Sequence, residues 1–113
     1  MALEVNGITI ETDDHGNLVD VQAWSQDVAK ALAAADETMG ELTGDHWDVL
    51  DYLRAKYFEE NEQPMERVIM KDMSKLWNRK ISSKDLYNLF PGAPSKQGNR
   101  IAGLPYVARK GGY

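Results

Sequence analysis

Asp85-Leu86-Tyr87-Asn88-Leu89-Phe90-Pro91-Gly92-Ala93-Pro94-Ser95-Lys96-Gln97-Gly98-Asn99-Arg100-Ile101-Ala102-Gly103-Leu104-Pro105 packs aromatic, Pro/Gly and basic residues into a density that a linker does not need. Ser82 or Ser83 can cap a helix that runs through Leu86, Leu89 and Phe90 until Pro91 stops it. Pro94 then opens a further helix holding Lys96, Gln97, Asn99, Arg100 and Ile101, and Gly103 suits the left-handed position just past its end. Beyond Pro105 the tail from Tyr106 to Tyr113 has no periodic apolar pattern, and it is expected to be a mobile arm.

Upstream, Asn61-Glu62-Gln63-Pro64 breaks the chain, and Pro64 suits the first turn of a helix whose buried face is Met65, Ile69, Met73, Leu76 and Trp77. Opposite them Arg67, Lys71, Lys75 and Arg79 recur every four residues, which rotates each only about 40° from the last and makes a basic stripe. With the turn Asn78 to Ser82 and Lys84 at the next helix start, the outline is that of a helix-turn-helix, an outline many helix pairs share. An earlier helix begins at Thr43 with Asp45 in its first turn. Its apolar arc is Trp47, Val49, Leu50, Leu53, Tyr57 and Phe58, and Asp48, Asp51 and Glu59 lie on the wet side. His46 falls at the edge of that arc and reads as a hydrogen-bonded core histidine. Val21, Trp24, Val28, Ala31, Leu32 and Ala35 share one helical face, with Asp20 or Ser25 as its cap. At the N-terminus, Leu3-Glu4-Val5 and Ile8-Thr9-Ile10 alternate around Asn6-Gly7, the pair that a two-residue type I′ turn requires. Asp13 to Asn17 then forms a loop in which His15 is expected to face solvent.

Leu-Tyr-Asn-Leu-Phe-Pro at 86–91, Pro-Ser-Lys-Gln at 94–97 and Ile-Ala-Gly-Leu-Pro at 101–105 agree in order and spacing with the C-terminal signature of the DsrC/TusE family of small sulfur-trafficking proteins, and Leu-Thr-Gly-Asp-His-Trp at 42–47 also resembles it. The resemblance spans nearly the whole chain. It implies a mainly helical α+β fold, an N-terminal β-hairpin with a bundle of about five helices, in one domain: residues 1–20 the hairpin region, 21–103 the bundle and 104–113 a mobile C-terminal arm. In the resembled family a working cysteine is the penultimate residue of that arm, and many members carry a second just before the basic residue matching Arg100. Here those positions are Gly112 and Asn99, and none of the 113 residues is cysteine. Persulfide carriage and disulfide chemistry both run through a thiolate, so neither is expected on this chain's own residues.

A chain of this length buries roughly two-thirds of the surface its unfolded form exposes. No apolar run is long enough to span a bilayer, and neither a signal-peptide pattern nor a disulfide framework is present, so a cytoplasmic protein with no membrane partner is expected. The net charge of −5 conceals an asymmetry: residues 1–63 carry 3 basic against 15 acidic side chains, and residues 64–113 carry 10 against 3. That pattern fits two solvated faces attracting each other within one fold, and equally a basic face offered to an acidic partner or to nucleic acid. No phosphate loop, zincin box or nucleophile elbow occurs, and no carboxylate pair sits in an apolar context that would split two pKa values, so no enzyme, cofactor or metal site is expected. The resemblance implies a non-catalytic regulator that docks on sulfite-reductase-like or sulfurtransferase proteins of sulfur metabolism. Lys96, Arg100, Arg67, Lys71, Lys75, Arg79 and Lys84 are its candidate partner-binding residues. The alternative is a nucleic-acid-binding regulator that uses the basic stripe with Lys84 on DNA.

Overall fold

The computed structural model describes residues 2–107; the terminal six residues, with Gly112 and most of the expected mobile arm, lie outside them. Strands β1 (Ala2–Val5) and β2 (Ile8–Glu11) pair antiparallel with Val5 opposite Ile8. Asn6 and Gly7 have φ of 52° and 79°, the two positive values of a type I′ turn. Val5 and Ile10 turn one side of the ribbon into the core. The following loop is held by Asp13, whose carboxylate accepts the backbone N–H of His15 and of Asn17 at 2.9 and 3.0 Å.

The first expected helix is two pieces. Asp20 caps a 3₁₀ turn, Val21–Ala23, and Ser25 caps α1 (Gln26–Ala34), so both candidate caps are used. Between them Trp24 is extended, with ψ of 143°, which carries its indole away from the helical face and toward the C-terminal segment. Helix α2 (Gly44–Glu60) begins at Thr43, whose backbone N–H donates to His46 Nδ1 at 3.0 Å. A ring nitrogen that accepts there leaves the proton on Nε2, which donates to the Leu89 carbonyl at 2.8 Å. His46 is thus the buried, hydrogen-bonded histidine its position suggested, and it ties the start of α2 to Leu89.

Helix α3 (Glu66–Leu76) is capped at Met65, so Pro64 precedes the helix instead of entering its first turn. Ile69 and Met73 are fully buried, but Leu76, expected in the core, is 60% exposed. It sits in the last turn at the margin of the buried arc, beside an open groove lined by Tyr52 and Ala55 of α2. Helix α4 (Ser83–Leu89) has a capping box in which Ser82 and Asp85 each accept the other's backbone N–H, and it ends at Phe90. A wide π-helical turn, Pro94–Gly98, precedes the short α5 (Asn99–Ile101). This π turn stands where an ordinary helix start was expected; such one-turn widenings recur at functional sites. Leu50, Leu53, Ile69, Met73, Leu86, Phe90, Ile101 and Leu104 form the centre of the core, and α5 packs against α1, α2 and the π turn.

The chain leaves α5 through a Schellman turn: Leu104 N–H donates to the Asn99 carbonyl at 2.9 Å and Gly103 N–H to the Arg100 carbonyl at 3.0 Å. Gly103 has φ of 74°, and a Cβ there would lie 2.8 Å from Trp24 Cγ and 2.9 Å from its Cβ. Both backbone and space therefore demand glycine. Gly103→Ala should lower unfolding stability by about 2 kcal/mol or more, from left-handed strain plus overlap with the indole. Gly40→Ala, where an added Cβ meets nothing within 4 Å, should change little. Urea unfolding midpoints decide it, and equal effects at the two positions would show that neither the left-handed backbone nor the indole constrains position 103.

Candidate functional site

Four carbonyls in five consecutive residues, where the chain exits α5, accept hydrogen bonds from side chains of four separate segments. Trp24 Nε1 donates to Ile101 at 2.8 Å, Arg54 Nη1 to Ala102 at 2.7 Å, Asn17 Nδ2 to Leu104 at 2.9 Å and Gln63 Nε2 to Pro105 at 2.8 Å. The last carbonyls of a helix have no intrahelical donors, and burial makes leaving them bare costly. Arg54 is itself fixed. Its guanidinium lies 4.3 Å from the Trp24 ring centre and 4.9 Å from that of Phe58, and burial lowers its pKa without removing its charge. One residue past Pro105, the Tyr106 ring stacks on His15, centroids 3.5 Å apart and planes 6° apart. The root of the arm therefore leaves the body in a set direction.

Beside this root a cleft of about 340 Å³ is lined by His15, Asn17, Lys96, Arg100 and Tyr106. Its floor is a polar network. Gln97 accepts the Gly92 N–H at 2.8 Å and donates to Asp36 and to Thr38 Oγ1, each at 2.8 Å, and Arg100 pairs with Asp36. Burial pushes the Asp36 carboxyl up, but the hydrogen bonds from Gln97, Thr38 and Arg100 outweigh it and hold the pKa at about 2. The network fastens the segment after α1 to the π turn. From the other side Glu66, itself buried in the first turn of α3, accepts the Ser95 N–H at 2.6 Å.

The residues singled out in the sequence fall into two groups. Asn99 and Arg100 belong to the arm root, and Lys96 is exposed at the cleft. Asn99 is 2% exposed; its amide nitrogen donates to the Ser95 carbonyl and its Oδ1 has no hydrogen-bond partner among the described residues. Gly112 lies outside the described residues. Arg67, Lys71 and Lys75 are exposed on α3. Arg79 lies in the turn beyond, over the Trp77 ring and 3.7 Å from Asp45, and Lys84 is exposed in the first turn of α4. No described pairing joins this second group to the arm root. Sequence reasoning passed over Trp24, Arg54, Asn17, Gln63 and Asp36, because their partners lie 42 to 87 residues away. The usable signal was a buried helix end that must find donors.

Against known proteins, the family model described as DsrC like protein matches residues 4–108. A Haemophilus influenzae protein named Sulfurtransferase TusE homolog is 42% identical over 108 residues, covering 95% of this chain and 97% of its own. The Sulfurtransferase TusE of Pectobacterium atrosepticum is 43% identical over 104 residues, covering 91% of this chain and 94% of its own. Among solved structures, the oxidized gamma-subunit of the dissimilatory sulfite reductase (DsrC) from Archaeoglobus fulgidus superposes with a TM-score of 0.88 at 34% identity, covering 96% of this chain and 98% of its own. These relatives correct one expectation from the sequence, that the protein is no enzyme: several are named sulfurtransferases. The missing thiolate excludes one covalent carrier, whereas a transfer reaction also depends on the surfaces that align donor with acceptor, so the exclusion does not extend from the atom to the activity.

Asp36 supplies a pH test of the network. Its pKa in the fold lies below its ordinary 3.8, so the stability it contributes is fully present above about pH 4 and is lost as the pH falls toward 2. The loss should be on the order of 2 kcal/mol. Urea midpoints measured across this window should fall less steeply for Asp36→Asn than for the unaltered chain; parallel curves would remove Asp36 from the account.

Proposed function

The chain belongs to the DsrC-like protein family, and from that premise we propose that it is a docking and regulating member of a sulfur relay, engaging sulfur-relay or sulfite-reductase-type partners while the travelling sulfur stays on thiols of those partners. The observation that carries this reading is the set of four side-chain donors that fix the root of the C-terminal arm. A body that aims its arm so firmly is built to present it, and the sequence holds no cysteine on which the arm could bear sulfur.

In this reading residues 1–103, the hairpin and the bundle, form the body, and residues 104–113 the arm, whose first residue, Leu104, is anchored in the core. Lys96 at the cleft and Arg100 in the arm root meet the partner there, and the cations Arg67, Lys71, Lys75, Arg79 and Lys84 face partners elsewhere on the surface. Asn99 and Gly112 occupy the places where the resembled family keeps thiols. Docking here would occupy a partner's arm-binding cleft and so set how often a thiol-bearing relative enters it. The surroundings that suit this competition are those of a reducing cytoplasm.

The test is incubation of the full chain with a persulfide-loaded sulfurtransferase and its relay partners. A stable complex with at least one of them should form by size exclusion and calorimetry, and the mass of this chain should stay unchanged. A mass gain of one sulfur atom mapped to any of its residues, or failure to bind every relay partner tried, contradicts the reading.

A further inference from the structure

The outer face of α3 carries two rows that the arm root does not use. Arg67, Lys71 and Lys75 form an exposed basic row. Beside it stand Val68 and Leu76, 41% and 60% exposed, two turns apart. Asp72, between the two in the apolar row, is already committed: it accepts the Tyr52 hydroxyl at 2.5 Å and lies 3.7 Å from Lys56. Burial and that carboxylate together raise the Tyr52 pKa, so the hydroxyl remains a donor. Next to Leu76, between α2 and α3, opens a groove of about 440 Å³ whose walls are Tyr52, Ala55, Lys56, Glu60, Asp72 and Lys75; Lys56 neutralises its two carboxylates, 3.3 Å from Glu60 and 3.7 Å from Asp72, so the cations left for a partner are those of the basic row. Solitary exposed apolar residues are ordinary, but two in register on one helix, bordered by cations and a groove, form a surface with a chemical preference.

We propose that this face of α3 and its groove dock an acidic, amphipathic segment of a partner protein, with apolar side chains seated on Val68 and Leu76 and carboxylates meeting Arg67, Lys71 and Lys75. The proposal adds a second surface to the docking reading above and rests on it for the partner being a protein of the relay. Charge complementarity selects an acidic occupant. The apolar row selects protein over nucleic acid, because a phosphate backbone gains nothing from Leu76 or Val68. The fourth cation of the stripe, Arg79, is stacked on Trp77 beside Asp45. A net charge of −5 also repels a long polyanion, whereas a short acidic segment meets mainly the local field within a Debye length of about 8 Å.

The probe is a synthetic acidic helix carrying leucine at every fourth position, titrated into the isotopically labelled full chain at physiological salt. Its controls are the same peptide with serine in place of leucine and a mixed-sequence DNA duplex. Amide shifts should concentrate on α3 and the facing turns of α2, and the leucine peptide should bind at least about tenfold more tightly than either control. Leu76→Ser and Lys71→Glu should each weaken it by about tenfold without altering the melting temperature, since both positions are exposed. Equal binding of the serine peptide or of DNA overturns the proposal, as does a concentration-dependent dimer abolished by Leu76→Ser, which would assign the face to a second copy. No relay protein enters this experiment, so its result stands apart from whether the chain binds a sulfurtransferase.

Discussion

One requirement reaches into four segments of this molecule, that the carbonyls where the chain leaves α5 find donors although the chain there is buried or half-buried. An unpaired buried carbonyl costs about 1–3 kcal/mol, against a total stability of about 5–15 kcal/mol for a typical domain, so several left bare would consume much of the fold's margin. The solution draws on Trp24, Arg54, Asn17 and Gln63, which come from the turn before α1, from α2, from the loop after β2 and from the α2–α3 link. Each donor is placed by its own local structure. Asn17 depends on the Asp13 loop, Trp24 on the break between its 3₁₀ turn and α1, and Arg54 on the two aromatic rings around it. The arm root is thereby a consequence of the whole body, and a change in any of the four segments reaches it.

What the sequence made legible was local chemistry. Asn6-Gly7 specified a type I′ hairpin, Ser82 with Asp85 specified the start of α4, and Gly103 specified the left-handed exit from α5, because each is decided by residues within a few positions of one another. The blocks between Leu86 and Pro105 made the family visible for the same reason. What escaped was decided at a distance. Trp24 leaves its helical face to reach Ile101, Gln97 reaches back across the fold to Asp36, and Leu76 is left uncovered beside a groove that Tyr52 and Ala55 of α2 also line. Periodicity places Leu76 near the buried arc and cannot say whether a neighbour arrives. The π turn at Pro94–Gly98 was likewise hidden, since a turn one residue wider has the same composition as an ordinary one.

The candidate site divides along the same line. Its residue types were readable, with Asn99 where many members of the resembled family carry a thiol and Lys96 and Arg100 on either side. Its electrostatics were not, because Arg100 is paired with Asp36 while Lys96 stands exposed at the cleft. Reading the lost sulfur chemistry as the loss of enzymatic function was the error that similarity to named sulfurtransferases exposed. The polar amide at position 99, buried and bonded to the Ser95 carbonyl, stays within the structural frame of the arm root.

The central claim is that the body fixes the direction in which the arm departs, and the absence of native cysteine makes it directly measurable. Spin labels on Val107→Cys at the arm root and Glu59→Cys on α2 would be the only thiol-linked groups in the chain, so pulsed electron resonance reads their separation cleanly. A narrow distance distribution is expected, broadening when Trp24→Phe and Asn17→Ala are combined to remove two of the four donors. A distribution already broad with all four donors in place, or one unchanged by their removal, would contradict the claim.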